Sequence, residues 1–334
     1  MASFDEAGPS RAVVESIRVD KINPGARFTG AVRAIIVLAI ALVMLIPIYV
    51  MGITAFKTRG DVVASPPLVF FKPTLEGFMF LFTDRAVVSA GRIPEFEALA
   101  EAGKMNIFER IAFENGQEIT GPSPFVKRLT NSVVVASIST VLSVLLGVLA
   151  GYAFSRFYVA GKDDLLFFIL STRMLPAVVV TIPIFLMYRQ LSLHDTQLGL
   201  IILYTAFNLS FSVWLMKGFM DEIPREYEEA ALVDGYSRLQ TFYKIVLPQA
   251  ATGIAATAVF CLIFAWNEYA FALMLTSEKA RTAPPGIATL LGRGGIEWSA
   301  IAVGSLLFLI PVVIVTFGLR KYLLRGVTFG AIRK

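Results

Sequence analysis

A single cysteine, Cys261, among 334 residues excludes a disulfide within the chain and any CxxC metal or redox pair. A single histidine, His194, cannot build a multi-histidine zinc site, and no GxSxG, HExxH or GxxxxGKS/T motif occurs. Most hydrolytic and nucleotide-binding chemistry therefore lacks its parts. Charge is scarce too: 16% of residues are charged against about 25% in globular proteins, while 56% are hydrophobic against about 45 to 50%. That leaves too little polar surface for a soluble chain, so the length prior of about two soluble domains does not apply. The net charge of +5 does not indicate nucleic acid, because no Lys/Arg cluster interleaved with aromatics is present. Cys261 lies in an apolar stretch and reads as a small buried hydrophobe.

What the chain does have is apolar sequence in long blocks. At 1.5 Å per residue, crossing about 30 Å of hydrocarbon takes about 20 residues. Four uncharged runs qualify: Ala34 to Ile53, Leu129 to Ser155, Thr196 to Met216 and Ser299 to Leu319. Two more carry one charge each, Leu165 to Tyr188 with Arg173 and Gln249 to Ser277 with Glu268. These predict an all-α integral membrane protein of six transmembrane helices.

Orientation follows from Lys and Arg in short connections, which resist translocation. The N-terminal tail holds five, the second connection two, the fourth four and the C-terminal end five, whereas the third holds one and the fifth three. The bias predicts both termini in the cytoplasm. The first 33 residues are too long and too mixed in charge for the start of a signal peptide, so the first span is expected to stay as an anchor. The expected organisation is a cytoplasmic tail 1–33, a first span 34–54, a long outer connection 55–128, a permease-like core 129–320 and a cytoplasmic tail 321–334. Within the outer connection, Pro94 suits a first helical turn, and Phe96, Leu99, Ile107, Phe108 and Ile111 follow near helical spacing. That stretch reads as a small outer cap or a partner-docking element.

The fourth connection, 218–248, is polar and helical in pattern. Pro224 suits a first turn, and Glu226, Glu228 and Glu229 cluster at the positive end of the helix dipole. Gly235 can take the left-handed position that stops the helix. Ser237 with Gln240 forms a capping-box pattern that starts a second helix, with Leu239, Phe242, Ile245 and Val246 as its apolar face and Pro248 at its end. The expected product is a helix-turn-helix with a knob at Gly235.

This segment, EEAALVDGYSRLQTFYKIVLP, resembles the EAA signature of importer-type ATP-binding-cassette permeases. Glu229, Ala230, Ala231, Gly235, Ile245, Leu247 and Pro248 fill its positions at the right spacing. NSVVVAS at Asn131, STRMLPAVVVTIP at Ser171, FAWNEYAFALMLTS at Phe264 and LRGVTFGAIRK at Leu324 look like the sugar-importing, maltose-type permeases, second-permease branch. The resemblance implies the type I importer permease fold and a subunit of the bacterial inner membrane that imports a sugar or polyol. It implies as partners a second permease, two ATPase subunits and a periplasmic binding protein. ATP and Mg would sit on the ATPase, with no catalytic residue, metal or cofactor on this chain. It further implies that Glu228, Glu229, Ala230, Ala231, Asp234, Gly235 and Pro248 couple to the ATPase, and that Gly326, Thr328 and Arg333 in the tail contact it. The stretch from about 83 to 121 looks like an insertion relative to the family.

A charge at bilayer depth costs about 2.5 to 3.5 kcal/mol on insertion scales, so Arg173 and Glu268 should face protein or water. Their depths, about 12 Å and about 25 Å from the inner side at 1.5 Å per residue, argue against a direct pair and for separate partners. Pro176 and Pro183 loosen the third span, through a kink for packing or a break that lines a path. Gly147 and Gly151 form a GxxxG that signals close helix packing. A sugar path needs hydroxyl-bonding groups beside aromatic faces, and Arg173, Asn208, Trp266, Asn267, Glu268 and Tyr269, with Trp214, offer that chemistry. Two rivals remain at this stage. An ion-coupled secondary transporter would favour several buried acids and repeated broken helices, and a membrane enzyme would need a clustered catalytic set.

Overall fold

The computed structural model describes residues 24–292 and 295–328. The chain divides into two units, Met1–Val50 and Met51–Lys334. The first holds most of helix α1, Pro24–Thr54, in which Val32–Thr54 has a mean hydropathy of 2.9. The helix begins well before the apolar run expected from Ala34. Pro24 suits its first turn, and no second proline follows before Pro47.

The second unit opens with α2 (Arg59–Val62), started by the Thr58 hydroxyl accepting from the Asp61 N–H, and α3 (Glu76–Phe82). The segment read as an insertion is framed by an antiparallel pair, β1 (Thr83–Val87) and β2 (Gln117–Pro122), with a bulge between Asp84 and Arg85. Between the strands lie two short helices, α4 (Ile93–Glu101) and α5 (Ile107–Glu114), in place of one amphipathic stretch. Gly103, at φ +64°, turns the chain between them, and Asn106 with Glu109 forms a complete capping box. Phe96 stacks on Phe113, while Phe108, Ile111 and Ala112 pack into a core cluster with Met79, Leu81, Phe125 and Val303.

The remaining long elements are α6 (Phe125–Arg156), α7 (Lys162–Ser171, extended by a 3-10 turn to Met174), α8 (Ala177–Gln190) and α9 (Gln197–Asp221). Among the described residues four helices are long and apolar enough to cross a membrane, and the number reaches six if each of two bent pairs counts as one span. The third expected span is such a pair: its halves Lys162–Met174 and Ala177–Gln190 meet at 91°. Pro176 is the cause, since it forces the extended conformation on Leu175 and offers no N–H to the preceding turn.

Helices α6 and α9 approach most closely. A Cβ on Gly147 would stand 2.0 Å from Ser212 Oγ, and one on Gly151 2.8 Å from the Lys217 nitrogen. The GxxxG thus lets the two backbones touch, and Ser143 Oγ bridges them to the Thr205 carbonyl at 3.3 Å.

The fifth expected span, 249–277, is not one helix. It comprises α13 (Ala251–Trp266), an irregular Asn267 to Tyr269, and α14 (Ala270–Leu275). The interruption comes from Glu268, whose carboxylate accepts from the N–H groups of Phe271 and Ala272 and so begins a new helix. Beyond it come α15 (Ala283–Ala288), a small hairpin of β3 (Leu291–Gly292) and β4 (Gly295–Ile296), and α16 (Trp298–Thr328). The last helix runs past Leu319 into the stretch read as a tail.

The connection from α14 to α15 is held from outside itself. Asp195, at φ +55°, accepts from the backbone N–H groups of Ser277, Glu278, Lys279 and Ala280. Asn131 Nδ2 donates to the carbonyls of Lys279 and Arg281 at 3.0 Å.

Candidate functional site

Two places concentrate polar chemistry. The first is the corner between α9 and α13. Helix α10 (Glu226–Val233) starts with three acids in its first turn and ends at Gly235, φ +85°. Its end is a Schellman turn: Tyr236 N–H reaches the Ala231 carbonyl at 3.0 Å and Gly235 N–H the Leu232 carbonyl at 3.1 Å. Ser237 and Gln240 complete the expected capping box for α11 (Arg238–Thr241). A π-turn, Phe242–Val246, follows, and then one helical turn, α12 (Leu247–Gln249).

Pro248 does not stop the chain as expected. It sits inside α12, and the direction changes at Ala250, where the segment 238–249 meets α13 at 72°. Proline cannot donate to the carbonyl four residues back, and its ring crowds that oxygen. The turn ahead of it widens accordingly, so that Leu247 N–H reaches Phe242 O.

The side chains named for ATPase coupling divide into two sets. Glu229, Ala230, Asp234 and Gly235 are exposed on the corner, together with Val233 at 88% and Leu239 at 70%. Glu228 and Ala231 turn inward instead. Glu228 pairs with Arg156 at the end of α6 and accepts from Tyr152 Oη at 2.9 Å. Arg156 also donates to the Ile223 carbonyl at 2.8 Å, and Arg225 donates to the Ser155 carbonyl at 3.0 Å. A buried ion pair contributes only when its remaining donors and acceptors are satisfied. Here both carboxylate oxygens are used, and each guanidinium nitrogen has a partner.

The second place is a cavity of about 190 Å³ lined by Arg173, Tyr204, Phe207, Asn208, Phe264, Glu268 and Phe271. Glu268 is fully engaged there: besides capping α14, it accepts from Tyr204 Oη at 2.6 Å. Asn208 donates to the Cys261 carbonyl at 3.1 Å. Arg173 differs from both. Its guanidinium lies 4.0 Å from the Phe264 ring centre and 5.3 Å from that of Phe211, and its buried Nη1 has no hydrogen-bond partner among the described residues. Arg173 and Glu268 line one cavity with separate partners.

The other sequence-selected residues lie elsewhere. Trp266 stacks on Phe308, donates to its carbonyl at 3.3 Å, and borders a different, apolar cavity of about 150 Å³. Asn267 bonds back to the Ile263 carbonyl, Tyr269 is 40% exposed and Trp214 is 51% exposed. The aromatic lining and the Tyr204 hydroxyl were missed, because their spacing in sequence is that of ordinary span residues. Gly326 and Thr328 fall in the last turn of α16, and Arg333 lies outside the described residues.

The family model for binding-protein-dependent transport system inner membrane components matches residues 143–329, a stretch that contains both places. The chain belongs to that family. It is a transport permease subunit, multi-pass in the inner membrane. A probable ABC transporter permease protein of Sinorhizobium fredii is 33% identical over 294 residues, covering 88% of this chain and 92% of that one. The trehalose transport system permease protein of Mycobacterium tuberculosis is 35% identical over 226 residues, covering 67% and 82%. In fold, the chain resembles one from the crystal structure of a bacterial ABC transporter involved in the import of the acidic polysaccharide alginate. The TM-score is 0.62 at 22% identity, covering 90% of this chain and 98% of that one.

Proposed function

We propose that this permease moves a sugar or polyol, delivered by a periplasmic binding protein, across the inner membrane under the drive of ATP hydrolysis in a partner ATPase. The chain would pair with a second permease, with both termini in the cytoplasm, and would bind no ATP or Mg itself. The sugar class rests on the resemblance to maltose-type permeases and on the trehalose permease relative. The cavity chemistry agrees with it: donors, an acid and aromatic faces are what a saccharide's hydroxyls and apolar carbons require.

The observation that carries the proposal is the Gly235 corner, a polar connection that exposes Val233 and Leu239 while burying its Glu228. An apolar knob on a stiff, capped frame is suited to a protein socket. We assign it, through Glu229, Ala230, Asp234 and Gly235, to the ATPase, with Ala231 and Pro248 shaping the knob. The tail residues Gly326, Thr328 and Arg333 are assigned to a secondary ATPase contact. Arg173, Tyr204, Asn208 and Glu268 form this chain's half of the substrate path.

The test is uptake and ATPase stimulation in proteoliposomes carrying the whole complex. Gly235→Asp or Glu229→Lys is expected to leave the protein inserted but to abolish both activities. Normal transport in either variant would overturn the coupling assignment. Arg173→Gln is expected to leave ATPase association intact and to lower uptake at least about tenfold, the scale of one lost charge-assisted hydrogen bond of about 1.5 kcal/mol.

A further inference from the structure

We infer that Glu228 and Arg156 form a transmission brace, through which movement of the Gly235 corner drives the α6–α9 pair as well as the span that follows the corner. The inference rests on the coupling reading and assigns Glu228 a different task from its neighbours. Glu229 and Asp234 face outward, where a partner can reach them, but Glu228 is 8% exposed and occupied within the chain.

The geometry is specific. Four side chains cross between the end of α6 and the corner: Tyr152 and Arg156 reach Glu228, Arg156 reaches the Ile223 carbonyl, and Arg225 reaches back to the Ser155 carbonyl. Ser155 also donates to Asp221, which pairs with Lys217 one helical turn earlier on α9. The corner is thus pinned to the ends of two helices whose backbones already touch at Gly147 and Gly151.

The covalent route onward is less direct. From Ser237 to Ala251 the chain passes through a π-turn and then a 72° bend before α13 begins. The π-turn and the bend interrupt that helical route, whereas a satisfied buried ion pair resists separation, because parting it leaves charges without partners. Displacement of the knob should therefore reach the membrane first through α6 and α9. Of the two, α9 lines the substrate cavity, with Tyr204, Phe207 and Asn208, and α6 packs directly against it.

The test uses the full importer in proteoliposomes, with ATPase co-purification, ATP hydrolysis and uptake measured together. Glu228→Gln and Arg156→Leu are expected to keep the ATPase bound and hydrolysing while the number of substrates moved per ATP falls at least fivefold. Arg156→Lys, which keeps the ion pair but loses the Ile223 contact, is expected to retain most of that ratio. A merely structural residue would lower the amount of inserted protein and leave the ratio unchanged. If the two disruptive variants fail to insert, Tyr152→Phe removes only a hydroxyl and is expected to lower the ratio about twofold. An unchanged ratio in every inserted variant overturns the brace. Loss of ATPase binding in Glu228→Gln overturns it as well, by making Glu228 a docking residue. Normal transport in Gly235→Asp would instead defeat the coupling reading underneath, and that result is distinguishable from either.

Discussion

Two corners of this protein are built to the same local recipe and put to different use. In the segment read as an outer insertion, α4 ends in a Schellman turn: Lys104 N–H reaches the Leu99 carbonyl and Gly103 N–H the Ala100 carbonyl, and the Asn106 capping box starts α5. At the corner we place in the cytoplasm, α10 ends in the same pattern at Gly235 and the Ser237 box starts α11. The two diverge in what they bury. The outer pair turns Phe108, Ile111 and Ala112 into an apolar core, whereas the inner pair buries Glu228 against Arg156 and leaves Val233 and Leu239 outside. A helix pair with a packed apolar face is complete in itself. The second pair instead exposes Val233 and Leu239, the surface we propose the ATPase covers.

The sharpest way to break this comparison is at the two glycines. Both have φ above +60° and open space where a Cβ would go, so the cost of a β-branched residue is backbone strain alone, about 1 to 3 kcal/mol. Gly235→Val is expected to remove uptake while the protein still inserts. Gly103→Val should lower the melting temperature of the solubilised protein and leave uptake near wild type. Equal loss of transport in both would mean that the outer corner is also part of the machine.

Truncating the apolar residues separates the corners next. Phe108→Ala takes a partly buried ring from the outer core and should cost about 2 to 3 kcal/mol, below the range for a fully buried ring. Val233→Ala and Leu239→Ala are surface changes, expected to alter stability by less than about 0.5 kcal/mol. They should nonetheless weaken ATPase retention during purification. The third comparison uses the caps. Ser237→Ala and Asn106→Ala each lose one side-chain acceptor at a helix start, about 1 kcal/mol. Hydrogen exchange should report the same local loosening in α11 and α5, with uptake falling only for Ser237→Ala.

What could be read from the sequence follows from how far each interaction reaches along the chain. The Gly235 stop and the Ser237–Gln240 box were legible because each is complete within six residues. Six apolar runs were legible because membrane thickness alone sets their length. The break at Asn267 to Tyr269 was not, since Glu268 counts as a stray charge in a span until its carboxylate is seen capping the next half-helix. Glu228 was grouped with its exposed neighbours because its partner, Arg156, stands 72 residues earlier. The β1–β2 pairing and the cavity lining have the same origin: both are long-range, and neither leaves a periodic trace.

The smallest effect concerns pH, and it acts in the end of the second unit that we place outside. Glu76 and Glu297 are both buried, and burial pushes their carboxyls above the ordinary 4.5, although Arg59 lies 3.6 Å from Glu297. Asp195 goes the other way: burial alone would raise it, but the N–H groups of Ala280, Ser277, Lys279 and Glu278 together hold it below 3.8. A raised carboxyl contributes stability that is fully present below its unfolded value and is lost as pH rises through the folded value. A lowered one contributes stability present above its unfolded value and lost as pH falls through the folded value. The melting temperature of the solubilised protein should thus decline on both sides of the mildly acidic range. Glu297→Gln is expected to flatten the decline above pH 4.5 and leave the acid side unchanged. Asp195→Asn should lower stability at neutral pH, because an amide can place an N–H against the four donors, and should flatten the acid side. If both variants shift the whole profile equally, these carboxyls act through packing alone. In that case the outer loops carry no titratable contrast to the Glu228–Arg156 pair, whose partners are all accounted for within the fold.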